Sequence, residues 1–335
     1  MSTDTLSEVL RAMRLTGAVF FTVDASAPWV IEAPPAREAA PHIMPGVEYV
    51  IEYHVIAEGN CWGGVAGGTP LRLEAGDVIV FPHGDPHVLA STPDLRGPPE
   101  HEAIRGVRRH PLPIAVKRGG GGTRAQVICG FLGCDARPFN PLLASLPRVL
   151  HAPRRALEDG VINPLVRLAL AESSTRGAGS ECVLARLSEL LFVEVVRQHL
   201  AALPPEQGGW LAGLRDESIG RALGKLHDRP AHDWSLEELA HQAALSRTVL
   251  AERFTQLVGV PPMQYLAQWR MQLAASLLAS TSMGLAEIAA QVGYGSEAAL
   301  SRAYKREVGV APAEWRRGKR AAGAAGAARV GATRR

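Results

Sequence analysis

The apolar positions of this chain change their period twice along its length. A short amphipathic stretch over residues 4–15 predicts a helix. From residue 17 to about residue 132, short runs of β-branched and aromatic residues such as Val78–Phe81 alternate with glycine and proline clusters, which predicts many short strands. From Pro141 onward, apolar residues recur every three or four positions. The pattern predicts an α+β, multidomain chain with a barrel or double-sheet N-terminal half and an all-α C-terminal domain.

Two stretches of the C-terminal domain share one arrangement of helix signals. Residues 234–254 and residues 285–306 each contain a short apolar helix, a break and a second helix, and Ser246 and Ser296 are the predicted N-caps of the second helices. An amphipathic segment over residues 262–278 connects the copies. Each copy predicts a helix-turn-helix, and a stiff connecting helix would fix the separation of the two second helices.

The second helix of each copy leaves polar and small residues on its outward face, where a recognition helix reads bases in the major groove. These candidate DNA-binding residues are Arg247, Thr248, Ala251 and Glu252 in the first copy, and Glu297, Ala298, Ser301, Arg302, Lys305 and Arg306 in the second. An ordinary surface hairpin of helices gives the same pattern once, but its repetition favours DNA binding. Lys305 and Arg306 are placed to meet phosphate.

The order of these motifs resembles the DNA-binding domain of AraC/XylS-type transcription regulators, from about Ile219 to Arg317. The resemblance is carried by Ala286–Ala289, Val292–Tyr294, Leu300–Arg306 and Gly309–Arg316. It implies double-stranded promoter DNA as partner, RNA polymerase as a second partner and a role as activator, with a repressor as the alternative. It also implies that Arg247 faces phosphate, whereas Thr248, Ala251 and Glu252 face bases.

The chain departs from that family at three positions, two within the second helix of the second copy and one just before its first helix. Leu300 and Tyr304 stand where phenylalanine is usual, and Gly284 stands where a better helix former is commoner. The two core changes keep apolar volume, so the fold is expected to hold.

A second resemblance lies in the N-terminal half, where residues 76–87 are similar to the second motif of cupin barrels. Gly76, Pro82, Gly84 and His87 occupy the expected places. The first cupin motif usually supplies two histidines one residue apart, whereas here only His54 lies near that strand, with Glu48 and Glu52 on its face. The resemblance implies a cupin-like sensor barrel, and a three-histidine iron or manganese centre is incomplete.

Several side chains of the sensor half carry metal or redox chemistry. They are His42, His54, His83, His87, Cys61, Cys129 and Cys134. Imidazoles and thiolates suit zinc or another transition metal, and a thiolate beside a cationic group reacts with oxidants. A barrel that has lost its metal accounts for the same residues. We predict a sensing site of Cys61, Cys129 or Cys134 with His54 or His87, and an organic small-molecule effector is the alternative.

Four segments follow from these patterns. We predict a cupin-like sensor domain over residues 1–140, a helical linker over 141–215, the DNA-binding domain over 216–318 and a disordered basic tail over 319–335. Within the linker, the apolar stripe of residues 183–195 is either the spine of the sensor domain or a homodimer face. The glycine- and proline-rich segment 94–122 is predicted to be a mobile loop.

Charge and composition fit a DNA-binding regulator. From Asp216 to the end the chain has 16 Lys and Arg against 11 Asp and Glu, whereas residues 1–215 have 20 against 22. Four cysteines are too few for a secreted disulfide framework, and no apolar run approaches the length of a membrane span. The N-terminus lacks the basic region followed by an apolar one that is typical of a secretory signal. A cytoplasmic regulator without catalytic activity or membrane contact is therefore predicted. The alternative is a metal-dependent cupin enzyme fused to a DNA-binding domain.

Overall fold

The computed structural model describes residues 4–47, 49–106, 113–154, 161–175, 177–204 and 207–321. By their contacts, the described residues form two compact units. The barrel unit contains the described residues of 15–134 and 146–202. The DNA-binding unit contains those of 1–14, 135–145 and 203–321.

Ten strands of the described chain belong to the barrel unit. They are β1 (Thr16–Ser26), β2 (Val30–Ala33), β3 (Tyr49–Glu58), β4 (Asn60–Val65), β5 (Leu71–Glu74), β6 (Val78–Phe81), β7 (His87–Ala90), β8 (Ile114–Gly119), β9 (Arg124–Cys134) and β10 (Leu150–Ala152). They form a six-stranded sheet in the order β10-β6-β3-β9-β1-β8 and a four-stranded sheet in the order β2-β7-β4-β5. Side chains of both sheets, among them Val23, Leu73 and Leu89, share one buried core. This double-sheet barrel confirms the predicted cupin-like fold.

Thirteen helices with defined bounds lie in the described chain. They are α1 (Thr5–Met13), α2 (Ala36–Ile43), α3 (His101–Gly106), α4 (Pro141–Ser145), α5 (Ile162–Thr175), α6 (Ser180–Ala202), α7 (Trp210–Arg215), α8 (Glu217–Asp228), α9 (Leu236–Gln242), α10 (Arg247–Val258), α11 (Pro262–Ser280), α12 (Leu285–Gln291) and α13 (Glu297–Val308). Among the described helices, none is long and apolar enough to cross a bilayer.

Helix α6, expected in a separate linker, packs against β1 of the barrel unit. The approach is close at Gly17, where a Cβ atom would lie 2.3 Å from the carbonyl oxygen of Ala185. Most of the apolar stripe is buried by this packing, whereas Val183 and Leu190 remain 38% and 52% exposed. The stripe is therefore mainly the spine of the barrel unit, with two apolar side chains left at the surface.

Two segments expected in the sensor domain belong to the DNA-binding unit. Helix α1 contacts α4, α8 and α11, and its Val9 and Met13 are each 1% exposed. The backbone N–H of Asp135 donates to the carbonyl of Met13 at 2.7 Å, and the N–H of Phe139 donates to Gln272 Oε1 on α11 at 3.0 Å. Apolar burial and these hydrogen bonds thus join the two segments to the DNA-binding unit. These contacts link segments far apart in the chain, so the sequence pattern alone does not show them.

The predicted mobile loop over residues 94–122 is wrong for much of its length. It contains α3 and β8, and β8 pairs with β1 in parallel, with Phe21 opposite Ile114. Alternate residues of β8 are half-buried, so a strand signal was present among the glycines and prolines. Residues 107–112, like residues 322–335 of the predicted tail, lie outside the described residues.

Candidate DNA interface and barrel pocket

Serine residues are the N-caps of three of the four helices in the two helix-turn-helix copies. The hydroxyls of Ser235, Ser246 and Ser296 accept hydrogen bonds from backbone N–H groups in the first turns of α9, α10 and α13. Helix α12 instead follows Gly284, which makes no side-chain cap. These caps satisfy N–H groups that the helix itself leaves unpaired, and they fix where each helix starts.

The turns of the two copies use the same backbone geometry with different residues. Ala244 has φ 55° and Gly293 has φ 81°, both in the left-handed region. After each, a backbone N–H donates to a carbonyl of the preceding helix, from Leu245 at 3.0 Å and from Tyr294 at 2.8 Å. The second copy has one additional residue, Gly295, before its serine cap. Both copies are thus helix-turn-helix units, as predicted.

The inner face of each second helix is fully buried. Leu250 and Phe254 on α10, and Leu300 and Tyr304 on α13, are each 0% exposed. The two departures from the usual phenylalanines therefore preserve the core. Helix α11 contacts α10, α12 and α13 and so joins the two copies.

The predicted DNA-binding residues lie on the faces of α10 and α13 opposite to these buried side chains. Eight of the ten are exposed, and Ala251 and Ser301 are half-buried. Glu252 and Arg302 each lie six residues after a serine cap, so the two helices present opposite charges at equivalent positions. Each predicted set therefore shares one accessible helical face.

In the barrel unit, the structure brings His54 of β3 and His87 of β7 together. Their Nε2 atoms are 2.7 Å apart, and His87 Nδ1 lies 2.9 Å from the carbonyl oxygen of Asp85. A carbonyl only accepts, so His87 Nδ1 carries the proton and its Nε2 accepts from His54 Nε2. His54 Nδ1 is then an unprotonated acceptor, and this buried atom has no hydrogen-bond partner.

Glu52 lies two residues before His54 on the same strand face. It is 2% exposed, its Oε1 has no hydrogen-bond partner, and its Oε2 is 3.7 Å from His87 Nε2. Burial raises the pKa of Glu52 to about 8. Burial also lowers the pKa of His87 to about 4 and that of His54 well below its ordinary value. At neutral pH this cluster therefore contains a protonated carboxyl and two neutral imidazoles.

Glu52 and His54 line a pocket with a cavity volume of about 60 Å³ and a largely apolar wall. The wall is formed by Phe21, Val23, Ile31, Ala33, Ile104, Val116, Cys129 and Phe131. Glu100 and Arg118 complete the lining as an ion pair, with Arg118 Nη2 2.9 Å from Glu100 Oε2. Apart from Cys129, the sequence did not single out these wall residues, although apolar side chains at alternate positions of β1 carry the signal.

The other predicted sensor residues are dispersed. Cys129 lies opposite His54 in the strand register and lines the pocket, whereas Cys61 is buried in the core between the sheets. His83 Nδ1 is 3.1 Å from the hydroxyl of Tyr49, and its Nε2 donates to a backbone carbonyl. Cys134 ends β9, and His42 lies in the last turn of α2.

The predicted redox and metal chemistry finds little support in this arrangement. Burial raises the pKa of Cys61 to about 12 and raises that of Cys129 as well, so both stay thiols. Across the described ranges, no group of three or more His, Cys, Asp and Glu could hold a metal ion. Glu48 lies outside the described residues.

Comparison with known proteins places both units in families. The cupin family matches residues 4–201, and the helix-turn-helix domain family matches residues 239–318. A putative AraC-like transcription regulator of Streptomyces lividans is 31% identical, covering 94% of this chain and 98% of that protein. The chain belongs to the AraC-like transcription regulators.

Two further relatives extend over most of this AraC-like regulator. A putative AraC-like transcription regulator of Streptomyces antibioticus is 34% identical over 80% of this chain and 87% of that protein. The RCS-specific HTH-type transcriptional activator RclR of Escherichia coli is 26% identical over 80% of this chain and 84% of that protein. The prediction of a sequence-specific DNA-binding regulator is confirmed, and these relatives carry names of regulators, not enzymes.

Proposed function

We propose that this regulator binds one asymmetric operator through α10 and α13, and that a small organic effector in the barrel pocket controls its output. The carrying observation is the pair of unpartnered buried atoms, Glu52 Oε1 and His54 Nδ1, in an apolar pocket. Buried polar atoms without partners are costly, and a few polar groups in an apolar cavity are typical of ligand sites. The barrel acts by binding, without catalysis.

An organic effector fits the pocket better than an oxidant or zinc. Oxidants react with thiolates, and burial keeps Cys61 and Cys129 protonated. The Nε2 lone pair of His87 is already used by His54. Oxidant sensing by the cysteines stays a prediction, which the experiment below tests.

The proposal includes two macromolecular partners besides DNA. RNA polymerase is the partner that a promoter-bound activator contacts. A second copy of the chain is the proposed partner of α6, where Val183 and Leu190 are exposed. Sedimentation of the full chain and of Leu190→Gln measures this, and a parent that stays monomeric at micromolar concentration removes the second copy from the proposal.

Selection of bound fragments from a random DNA library, with the full chain, tests operator reading and supplies an operator. The affinity of the protein for this operator is then measured in the presence of zinc and of hydrogen peroxide. The proteins compared are the parent and the variants Cys61→Ser, Cys129→Ser, Cys134→Ser and His87→Ala. We expect neither reagent to change the affinity. If zinc or peroxide changes the affinity of the parent, and one of these variants abolishes that change, the barrel senses a metal or an oxidant through the substituted residue.

A further inference from the structure

The two unpartnered atoms in the barrel pocket define what a ligand must supply. His54 Nδ1 is an acceptor, because His87 Nδ1 donates to Asp85 and the shared Nε2 contact then takes the proton of His54. The imidazole of His87 stacks on Phe81, with ring centroids 3.8 Å apart and planes 13° apart, which fixes its orientation. His54 therefore presents a lone pair, and the matching ligand group is a hydrogen-bond donor.

The Glu52 carboxyl adds a second polar group on the same face of β3. Its Oε1 is unpartnered, and its Oε2 is too far from His87 Nε2 for a hydrogen bond. Kept uncharged by burial, the carboxyl can both accept and donate. A head group that donates to His54 and bonds to Glu52 would satisfy both side chains at once.

The remaining surroundings disfavour a charged ligand. The wall of the pocket is apolar, and the Glu100–Arg118 ion pair brings opposite charges that offset each other. Moving an ion from water into such a site is costly unless an opposite charge meets it. The apolar wall instead favours a hydrophobic body.

We propose that the barrel pocket binds an uncharged organic molecule with a compact apolar body and a hydroxyl or primary amide head, which donates to His54 Nδ1 and bonds to the Glu52 carboxyl. The proposal rests on the proposed function, because it names the class of effector for the same pocket. It assigns a binding role to Glu52, because its carboxyl lies on the same strand face as His54 and can bond to the same head group.

Calorimetric titration of the full chain with five probes of similar body tests this class. The probes are benzyl alcohol, benzamide, benzylamine, benzoate and benzyl methyl ether. We expect benzyl alcohol and benzamide to bind at least tenfold more tightly than the ether, because the ether cannot donate to His54. We also expect benzyl alcohol and benzamide to bind more tightly than benzylamine, a cation at neutral pH, and than benzoate, an anion.

Two variants and a control locate the site. Glu52→Leu should weaken the binding of benzyl alcohol at least tenfold, because the carboxyl that bonds to the hydroxyl is gone. Glu52→Gln, which keeps shape and hydrogen bonding, should bind benzyl alcohol like the parent. His83→Ala, outside the pocket, should bind like the parent. If Glu52→Leu fails to fold, the parent and Glu52→Gln titrations still decide the result.

The remaining outcomes separate this inference from the proposed function. Tightest binding of benzylamine or benzoate, lost in Glu52→Leu, overturns the uncharged class and leaves control by the pocket intact. Failure of all five probes to bind overturns the ligand class and also the control by an organic effector. Specific operator binding, measured in parallel by mobility shift, reports on DNA reading independently of both.

Discussion

The two helix-turn-helix copies of the DNA-binding unit reach the same fold with different local stabilisers. The first copy caps α9 with Ser235 but holds Ala244, which has a Cβ, in a left-handed turn. The second leaves α12 without a side-chain cap but places Gly293 at that turn. Each copy thus has one unfavourable local feature, a left-handed alanine in the first and a missing side-chain cap in the second. Both copies still form the same fold because the buried faces of α10 and α13 are equivalent, so core packing outweighs the turn and cap residues.

The copies differ more in what they present to DNA. At one equivalent position, α10 carries Glu252 and α13 carries Arg302. A carboxylate accepts from cytosine, whereas a guanidinium donates to guanine. If Glu252 and Arg302 face bases, as we propose, the two helices read different bases and the operator is asymmetric.

The largest effect is expected at the left-handed turns. A Cβ at Gly293 would lie 2.7 Å from Ala231 Cα and 2.8 Å from its carbonyl oxygen, and φ is also unfavourable. Gly293→Ala should therefore lower the free energy of unfolding by about 3 kcal/mol. The matched change Ala244→Gly should raise it by up to about 1 kcal/mol. Urea unfolding of the full chain measures both, and equal effects at the two turns would remove the difference drawn between them.

The next effect concerns the charges. Arg302→Ala should cost about 1–3 kcal/mol at one base pair of the operator. If Lys305 meets phosphate, as we propose, Lys305→Ala should weaken binding to all sequences alike and reduce the salt dependence of binding. Mobility shifts on the operator and on scrambled DNA measure this. Equal losses of Arg302→Ala on both DNAs would remove Arg302 from base reading.

A pH effect on stability should arise beside the first copy and not beside the second, because the chain has no histidine after His241. Burial lowers the pKa of His227, on the neighbouring helix α8, to about 3, and His227 Nε2 lies 2.7 Å from the hydroxyl of Tyr265. As pH falls from the ordinary range near 6.5 towards 3, the unfolded chain binds a proton that the native unit excludes, so stability falls.

Between pH 6.5 and pH 5, His227 should lower the free energy of unfolding by about 1.5 kcal/mol. Unfolding of the parent and of His227→Gln at both pH values measures this contribution as the difference between their pH slopes. Identical slopes would mean that His227 is protonated in the native unit.

The smallest effect is expected at the helix caps. Ser235→Ala should destabilise the unit by about 1 kcal/mol, because the N–H of Glu238 loses its partner. Gly284→Ser should stabilise α12 by only about 0.3 kcal/mol, because glycine is a tolerated cap. Thermal unfolding of both variants measures these changes, and a larger gain than loss would reverse the ranking of the caps.

The sequence predicted the DNA-binding unit well where its signals are local. Serine caps, the glycine turn and helical spacing fall within a few residues of each other, and the structure places the helices there. It did not predict that α1 packs with α8 and α11, or that β8 joins β1, because both depend on contacts between distant segments. Of the candidate sensor site, the sequence predicted His54, His87 and Cys129. The importance of Glu52 beside them depends on burial, which residue type alone does not reveal.

The central claim is that one chain reads one operator with two recognition helices held at a fixed separation by α11. The most direct measurement is the affinity for the selected operator before and after insertion of five base pairs between its half-sites. Recognition helices on one face enter successive major grooves about 10 base pairs apart, so the insertion turns one half-site to the opposite face. We predict that tight binding is lost. Unchanged affinity would show that only one helix reads DNA and would contradict the claim.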